Sequence, residues 1–176
     1  MSRLSRLNIS AFVAAFVVGL ASGAVSYAHR SPVIEQRTVN AMANEIEIGV
    51  AIAAAAVVVA IQLGRSRNPG RRGPSPWLAP FSARAAARAS RTFRSSAGAA
   101  ALRVLPMVPL ILLMLYSSWR MGSELAGAFD PNQVVNAWGG PTYIGAVAAH
   151  WMDCIIMFYA AAFLVGRLAK REPASY

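Results

Sequence analysis

Three side chains with chemical potential interrupt an apolar stretch near the C-terminus: His150, Asp153 and Cys154. In a helix, His150 shares a face with the other two and lies within hydrogen-bonding reach of the acid. A charged side chain inside a bilayer costs at least about 2.5–3.5 kcal/mol, so an acid there is a functional hypothesis by default. This intramembrane polar cluster would suit a proton relay or the lining of a partner's substrate path.

A structural role for the same cluster is the alternative, and we favour it. Burial in lipid stabilises the neutral carboxylic acid over the carboxylate. A protonated Asp153 would then hydrogen bond to His150, or to Ser22 or Ser26 of the first apolar stretch. In that case the cluster holds helices together and carries no reaction.

The rest of the chain shows no catalytic or cofactor-binding set. Its single cysteine excludes an intrachain disulfide, and no cysteine–histidine spacing typical of a metal site occurs. Phosphate-binding, dinucleotide-binding, hydrolase-elbow and HExxH motifs are absent. The two histidines, His29 and His150, would differ in membrane depth by about 10 Å, which does not suit paired haem ligands. We therefore expect a protein that is not an enzyme and that binds no cofactor and no metal.

Four apolar stretches must position these residues, at about 9–27, 46–63, 104–121 and 143–168. Each is close to the ~20 residues that a helix needs to cross about 30 Å of hydrocarbon. With no water there, backbone amides must be satisfied within each helix. The first stretch is long for the apolar part of a signal peptide, so we expect an uncleaved span. The predicted fold class is an all-α integral membrane protein with four transmembrane helices, in a single membrane domain, 1–176.

The basic residues sort to one side of these spans. With a cytoplasmic N-terminus, 14 of the 17 fall inside, and only Arg30, Arg37 and Arg120 fall outside. Lysine and arginine are enriched in cytoplasmic loops, so both termini are predicted to be cytoplasmic. The net charge of +10 thus reflects orientation, and we expect no nucleic-acid partner. Arginine used almost to the exclusion of lysine, with abundant alanine, suggests a GC-rich genome and a bacterial plasma (inner) membrane.

The long inner loop, about residues 64–102, divides into two parts. Arg65–Pro76 is rich in proline, glycine and charge, which predicts a linker. Further on, Arg84, Arg88 and Arg91 recur at i, i+4 and i+7 among alanines, the best helix formers. This pattern predicts an amphipathic helix in the inner interface with its arginines on anionic lipid. A solvated basic loop is the alternative.

Small residues recur every four positions along the first span, at Ala11, Ala15, Gly19 and Gly23. Helices in lipid associate by close packing, and small residues let their backbones approach. The stripe predicts a helix-packing face. Its partner is either another helix of this chain or a helix of another protein, and the pattern does not distinguish them.

The outer loops carry two local signals. Ser31-Pro32 followed by Glu35 is typical of a helix start, so residues 32–45 either extend the second helix outside the membrane or form an irregular loop. In the second outer loop, Asp130-Pro131-Asn132 predicts a turn. With the third span expected to end at Met121, Glu124 falls in this loop.

These features together favour a non-catalytic accessory or assembly subunit of a larger plasma-membrane complex, such as a transport system for lipid or other envelope cargo. Its partners would be larger integral membrane subunits and anionic lipids of the inner leaflet. A stand-alone secondary transporter is disfavoured because no internal repeat is visible. The alternative is a quinone- or haem-associated anchor subunit of a respiratory enzyme, with His150 and Asp153 as its polar site.

The predicted orientation can be tested with cysteines introduced one at a time. In intact cells, cysteines at Ser75 and Ser95 should be shielded from membrane-impermeant thiol reagents, because the arginine distribution places both inside. A cysteine at Asn132 should be labelled. Labelling at Ser95 would overturn the orientation.

Overall fold

The computed structural model describes residues 4–38, 41–67, 76–94, 98–137 and 139–169. Within these ranges the chain is helical and has no β-strand. Its elements are α1 (Arg6–Ala28), α2 (Ala41–Arg67), a 3₁₀ helix (Pro76–Phe81), α3 (Ala83–Arg94), α4 (Gly98–Gly127), α5 (Pro131–Val134) and α6 (Tyr143–Leu168). Helices α1, α2, α4 and α6 are long and apolar enough to cross a membrane. The all-helical class and the four spans are therefore confirmed, while linker positions 68–75 lie outside the described residues.

Helix α4 extends beyond the end that the sequence suggested. It runs to Gly127, six residues past Met121, so the placement of Glu124 in an outer loop was wrong. No proline interrupts the chain between these two positions, and the helical hydrogen bonding simply continues. Arg120 and Glu124 both lie on this helix, where their opposite charges form an ion pair.

The centre of the fold is the contact between α1 and α4, where the two backbones touch. A Cβ atom on Gly19 would collide with the carbonyl oxygen of Trp119, and one on Gly23 would collide with that of Ser123. The contact is reciprocal, because a Cβ on Gly122 of α4 would meet the backbone of α1. Gly19 and Gly23 thus pack against a helix of this chain, which is one of the two partners that the stripe of small residues allowed.

The small-residue stripe is not buried along its whole length. Ala15 is half-buried and Ala11 is exposed, so the close contact is confined to the half of α1 nearer its C-terminus. Nearer the N-terminus of α1, the ring of Phe12 meets the ring of Phe158 from α6 edge-on, with 5.0 Å between centroids. Edge-to-face rings at this distance add a specific attraction to their apolar burial.

Helix α6 packs on the other side of α4. The indole nitrogen of Trp151 donates to the carbonyl oxygen of Met121 at 2.9 Å, and the hydroxyl of Tyr143 donates to that of Leu125 at 2.9 Å. The Leu125 carbonyl is in the last turn of α4, where no intrahelical donor remains. Buried Tyr and Trp side chains need a partner for their polar atoms, and here they fasten α6 to the end of α4.

The segment before α3 is held against the start of α1. The backbone N–H of Ser5 donates to the carbonyl of Phe81 at 2.7 Å, and the Asn8 side chain donates to that of Pro80 at 3.0 Å. The Tyr159 hydroxyl donates to the carbonyl of Trp77 at 2.9 Å. The start of α1, the 3₁₀ helix and the inner half of α6 therefore meet at one end of the bundle, called the inner end below.

At the opposite end, residues 31–38 are not helical, so this part of the chain follows the second of the two alternatives, an irregular loop, and α2 begins at Ala41. Hydrogen bonds from two asparagine side chains explain this conformation. The Asn132 side chain accepts from the N–H of Glu35 at 2.8 Å and donates to the carbonyl of Val33 at 2.7 Å. The Asn136 side chain accepts from the N–H of Thr38 at 2.8 Å. Two amide side chains thus take the backbone groups that a helix would have used.

Helix α2 stands apart from the three packed helices. No residue from Ile48 to Arg67 is buried. Among the described residues, α2 makes no extensive contact with another element. A Cβ atom added to Gly49 or Gly64 would meet nothing within 4 Å. The packed body of this chain is therefore a bundle of α1, α4 and α6, with α2 beside it.

The backbone contact between α1 and α4 predicts a difference between two glycine substitutions. Gly23→Ala should destabilise the purified protein by about 1–3 kcal/mol, because the new methyl group has backbone on its path and no side chain that can move away. Gly49→Ala should leave stability unchanged or slightly higher, since alanine favours the helix. Thermal unfolding in detergent measures both. Equal effects of the two variants would contradict the packing described.

Candidate functional site

Four buried polar side chains lie along the outer half of α4: Ser117, Ser118, Ser123 and Glu124. Two of the serines satisfy themselves along the helix. The Ser117 hydroxyl donates to the carbonyl of Leu113 at 2.8 Å, and the Ser118 hydroxyl donates to that of Met114 at 3.1 Å. These hydroxyls need no partner outside α4. Glu124 is the exception, since a buried carboxylate cannot donate and has no such local solution.

Glu124 forms an ion pair with Arg120 one turn earlier. Nη2 of Arg120 lies 2.5 Å from Oε1 of Glu124, and the Glu124 side chain is completely buried, whereas that of Arg120 is 30% exposed. The same oxygen accepts a hydrogen bond from the Gln133 side chain at 3.4 Å. A charge-assisted bond of this kind compensates part of the desolvation of the acid.

The second carboxylate oxygen, Oε2 of Glu124, is buried and has no hydrogen-bond partner among the described residues. Buried polar atoms in proteins are nearly always paired, so an exception needs a physical explanation. The explanation here is that Arg120 and Gln133 both engage Oε1, which leaves Oε2 without a donor from the part of the chain that the structure describes.

The short helix α5 forms the cover over this acid. Asp130 caps it, accepting from the N–H of Asn132 at 2.9 Å, with Pro131 at its first position. The predicted turn is thus a capped helical turn. Gln133 packs so closely on Gly127 that a Cβ there would meet its amide group. The turn positions Gln133 over Glu124.

The predicted polar cluster on α6 is only partly assembled. His150 and Asp153 are half-buried and Cys154 is buried. No hydrogen bond joins His150 to Asp153 in the described ranges. Cys154 is a free thiol buried within the bundle. The proton-relay and the structural role of this cluster both stay predictions.

The structure therefore adds Arg120 and Glu124 to the candidate site. The sequence analysis had assigned these two residues only to the outer side of the membrane. Their signal was available, because an acid and an arginine four residues apart in an uninterrupted helical segment face each other. What the sequence does not show is that Gln133 and the turn after Gly127 bury this pair.

The two histidines remain apart. His29 lies just beyond α1 and is exposed, with Nδ1 2.9 Å from the carbonyl oxygen of Val25. His150 lies inside α6. Within the described ranges, no three His, Cys, Asp or Glu side chains are grouped so that they could hold a metal ion. No geometric feature favours the alternative of a haem-associated anchor.

The segment that carries the arginine stripe forms a helix, α3, as its spacing predicted. Arg84 and Arg91 are exposed, while Arg88 is half-buried with its Nε enclosed and without a hydrogen-bond partner among the described residues. Thr92 is buried and bonds back to the carbonyl of Arg88 at 3.0 Å. Contact of these arginines with anionic lipid stays a prediction.

Comparison with protein-family models, with curated proteins and with solved structures found no match to this chain. The function is therefore inferred from the geometry of the described residues.

The ion pair predicts a non-additive pattern of stabilities. Glu124→Leu should destabilise the protein by about 3 kcal/mol, because it leaves the Arg120 guanidinium largely buried without its counter-ion. Replacing both residues with leucine should recover most of this loss. Detergent unfolding of the wild type, the two single variants and the double variant measures the coupling.

Glu35→Leu is the matched control, since Glu35 is exposed and lies at the same end of the molecule. It should change stability little. If the double variant were as unstable as the sum of the single variants, the ion pair would not couple these residues.

Proposed function

We propose that this protein is a non-catalytic accessory subunit of a larger complex in the bacterial plasma membrane, and that it docks on the membrane helices of a larger subunit through α2. The observation that carries the proposal is that no residue of this span from Ile48 to Arg67 is buried. Among the described residues, α2 makes no extensive contact with the other elements of its chain.

The glycines of the chain support a docking role for α2. Glycine in a helix interior costs about 1 kcal/mol relative to alanine. At Gly19, Gly23 and Gly122 this cost is offset by backbone contact. At Gly49 no other part of the described chain lies within 4 Å of the Cβ position, so no packing there offsets the cost. A helix from another protein would supply that contact.

Five small residues of α2 lie on one face. From Gly49, helical spacing brings Ala53, Ala56, Ala60 and Gly64 to the same side, within about 80° at 3.6 residues per turn. All five are exposed. The opposite side carries Val58 together with Ala51, Ala54 and Ala55, so the two glycines are what distinguish the small face. The small face has the composition that membrane helices use to approach another helix closely.

A larger integral membrane subunit is a better occupant than lipid. Acyl chains are flexible and lose entropy when they fill a narrow groove, whereas a helix presents a rigid ridge. The bundle of α1, α4 and α6 is already closed by backbone contact and needs no further helix. It would act as a brace, with α2 as the element that engages the partner. The wider prediction of a transport system for lipid or other envelope cargo rests on sequence alone.

The basic helix α3 fits the same proposal. It lies at the inner end of the bundle, in contact with α4 and α6. Arg84 and Arg91 are exposed there, and Leu78 and Phe93 are exposed apolar side chains of the same region. Arginine over apolar residues is the composition of helices that rest on anionic lipid. Such contact would orient the bracing body along the inner membrane surface.

The docking proposal predicts that bulky residues on the small face of α2 abolish assembly without unfolding the protein. In native membranes, tagged Gly49→Ile and Gly64→Ile should each lose most of a stoichiometric integral membrane subunit that copurifies with the wild type. Their unfolding temperatures in detergent should match that of the wild type, because these positions face open space. Mass spectrometry of the eluate measures the first result.

Val58→Phe is the matched control, since it adds bulk to the opposite face of the same helix and should assemble normally. Equal loss with Val58→Phe, or unchanged copurification in both glycine variants, would contradict docking through the small face.

Asp153→Asn tests the non-catalytic part of the proposal, because it removes the titratable proton and keeps the shape of the side chain. Intact assembly with lost turnover of the complex would favour a proton relay through Asp153.

A further inference from the structure

The inner end of the bundle contains a cavity of about 430 Å³ between the start of α4 and the end of α6. It is lined by Arg103, Arg167, Leu168 and Ala169. These residues come from helices that run in opposite directions, so the fold alone brings the two guanidinium groups together. They lie more than sixty residues apart in the sequence.

Neither arginine is neutralised by the part of the chain that the structure describes. No ion pair or hydrogen bond engages Arg103 there, and Arg167 stacks its guanidinium 4.9 Å from the ring centre of Phe163. The acid on the same helix, Asp153, precedes Arg167 by 14 residues, which is about 21 Å along α6. At that distance Asp153 cannot form an ion pair with Arg167. Two positive charges therefore converge on one cavity without a described counter-ion.

The surroundings of the cavity are apolar on the side of the membrane. Leu105 follows Arg103 by two residues on α4, Phe163 precedes Arg167 by about one turn on α6, and both are exposed. Leu168 contributes an apolar wall to the cavity itself. A ligand with a negative headgroup and hydrocarbon chains would satisfy both kinds of surface at once.

We propose that this cavity binds the phosphate of an anionic phospholipid headgroup between Arg103 and Arg167, with the acyl chains lying along Leu105 and Phe163. Guanidinium groups match phosphate oxygens by two parallel hydrogen bonds, which gives arginine its preference for this ligand. The site differs from the arginines of α3, which lie on one exposed helix face and enclose no cavity. It is also independent of docking through α2.

The full-length protein, delipidated in a neutral detergent, tests the proposal by native mass spectrometry. Added phosphatidylglycerol should bind with one molecule held more tightly than the rest, and phosphatidylcholine should not show this step. Arg103→Gln and Arg167→Gln should each weaken that step about fivefold, the effect of one arginine at an anionic surface. Together they should weaken it more than either variant alone, and not by the simple product of the two effects, because both arginines would hold the same phosphate.

Arg37→Gln is the matched control, because Arg37 is an exposed arginine at the other end of the molecule, and it should leave the step unchanged. Two results would overturn the proposal: equal binding of both lipids, or wild-type binding by the double variant. Displacement of phosphatidylglycerol by millimolar inorganic phosphate would assign the cavity to a free anion and reject the lipid. All three arginine positions are exposed, so unfolding does not obscure the result.

Discussion

The fold depends on one constraint: α1 and α4 approach so closely that neither helix has room for a side chain at the point of contact. In lipid, hydrocarbon surrounds a helix whether or not it has a partner, so burial of apolar surface does not drive helices together. Attraction must come from many short-range contacts, which require the backbones to be near each other. Gly19, Gly23 and Gly122 provide this proximity. The position of every other element follows from that pairing.

Once α1 occupies one side of α4, the remaining helices have few choices. Helix α6 takes the other side of α4 and fastens to its outer end through Tyr143 and Trp151. The polar side chains of α4 are then enclosed, and the acid among them survives burial because its counter-ion is on the same helix. Such a pair is weak as a source of stability, since desolvation offsets most of the attraction. Its value is specificity, because α4 must end in the position that lets Gln133 reach the acid.

Hydropathy and spacing predicted the four spans and the basic helix α3, because each depends on properties local to the segment. They could not predict which helices pair, since an apolar helix looks the same in sequence whether lipid or protein covers it. The stripe at Gly19 and Gly23 indicated a contact but not its partner. The choice between helix and loop after Pro32 depends on amide side chains about 100 residues away, which the spacing within that segment does not show. Glu124 was assigned to a loop because the third span was expected to end at Met121, and its burial depends on Gln133 in the turn that follows α4.

The pairing of α1 with α4 has a consequence for how the protein is made. The glycines of α1 and the backbone that they touch are about 100 residues apart in the chain. At a synthesis rate of roughly 5–20 residues per second, α1 waits on the order of 5–20 s for its partner. The close contact on which the bundle depends therefore forms only after most of the chain has been made.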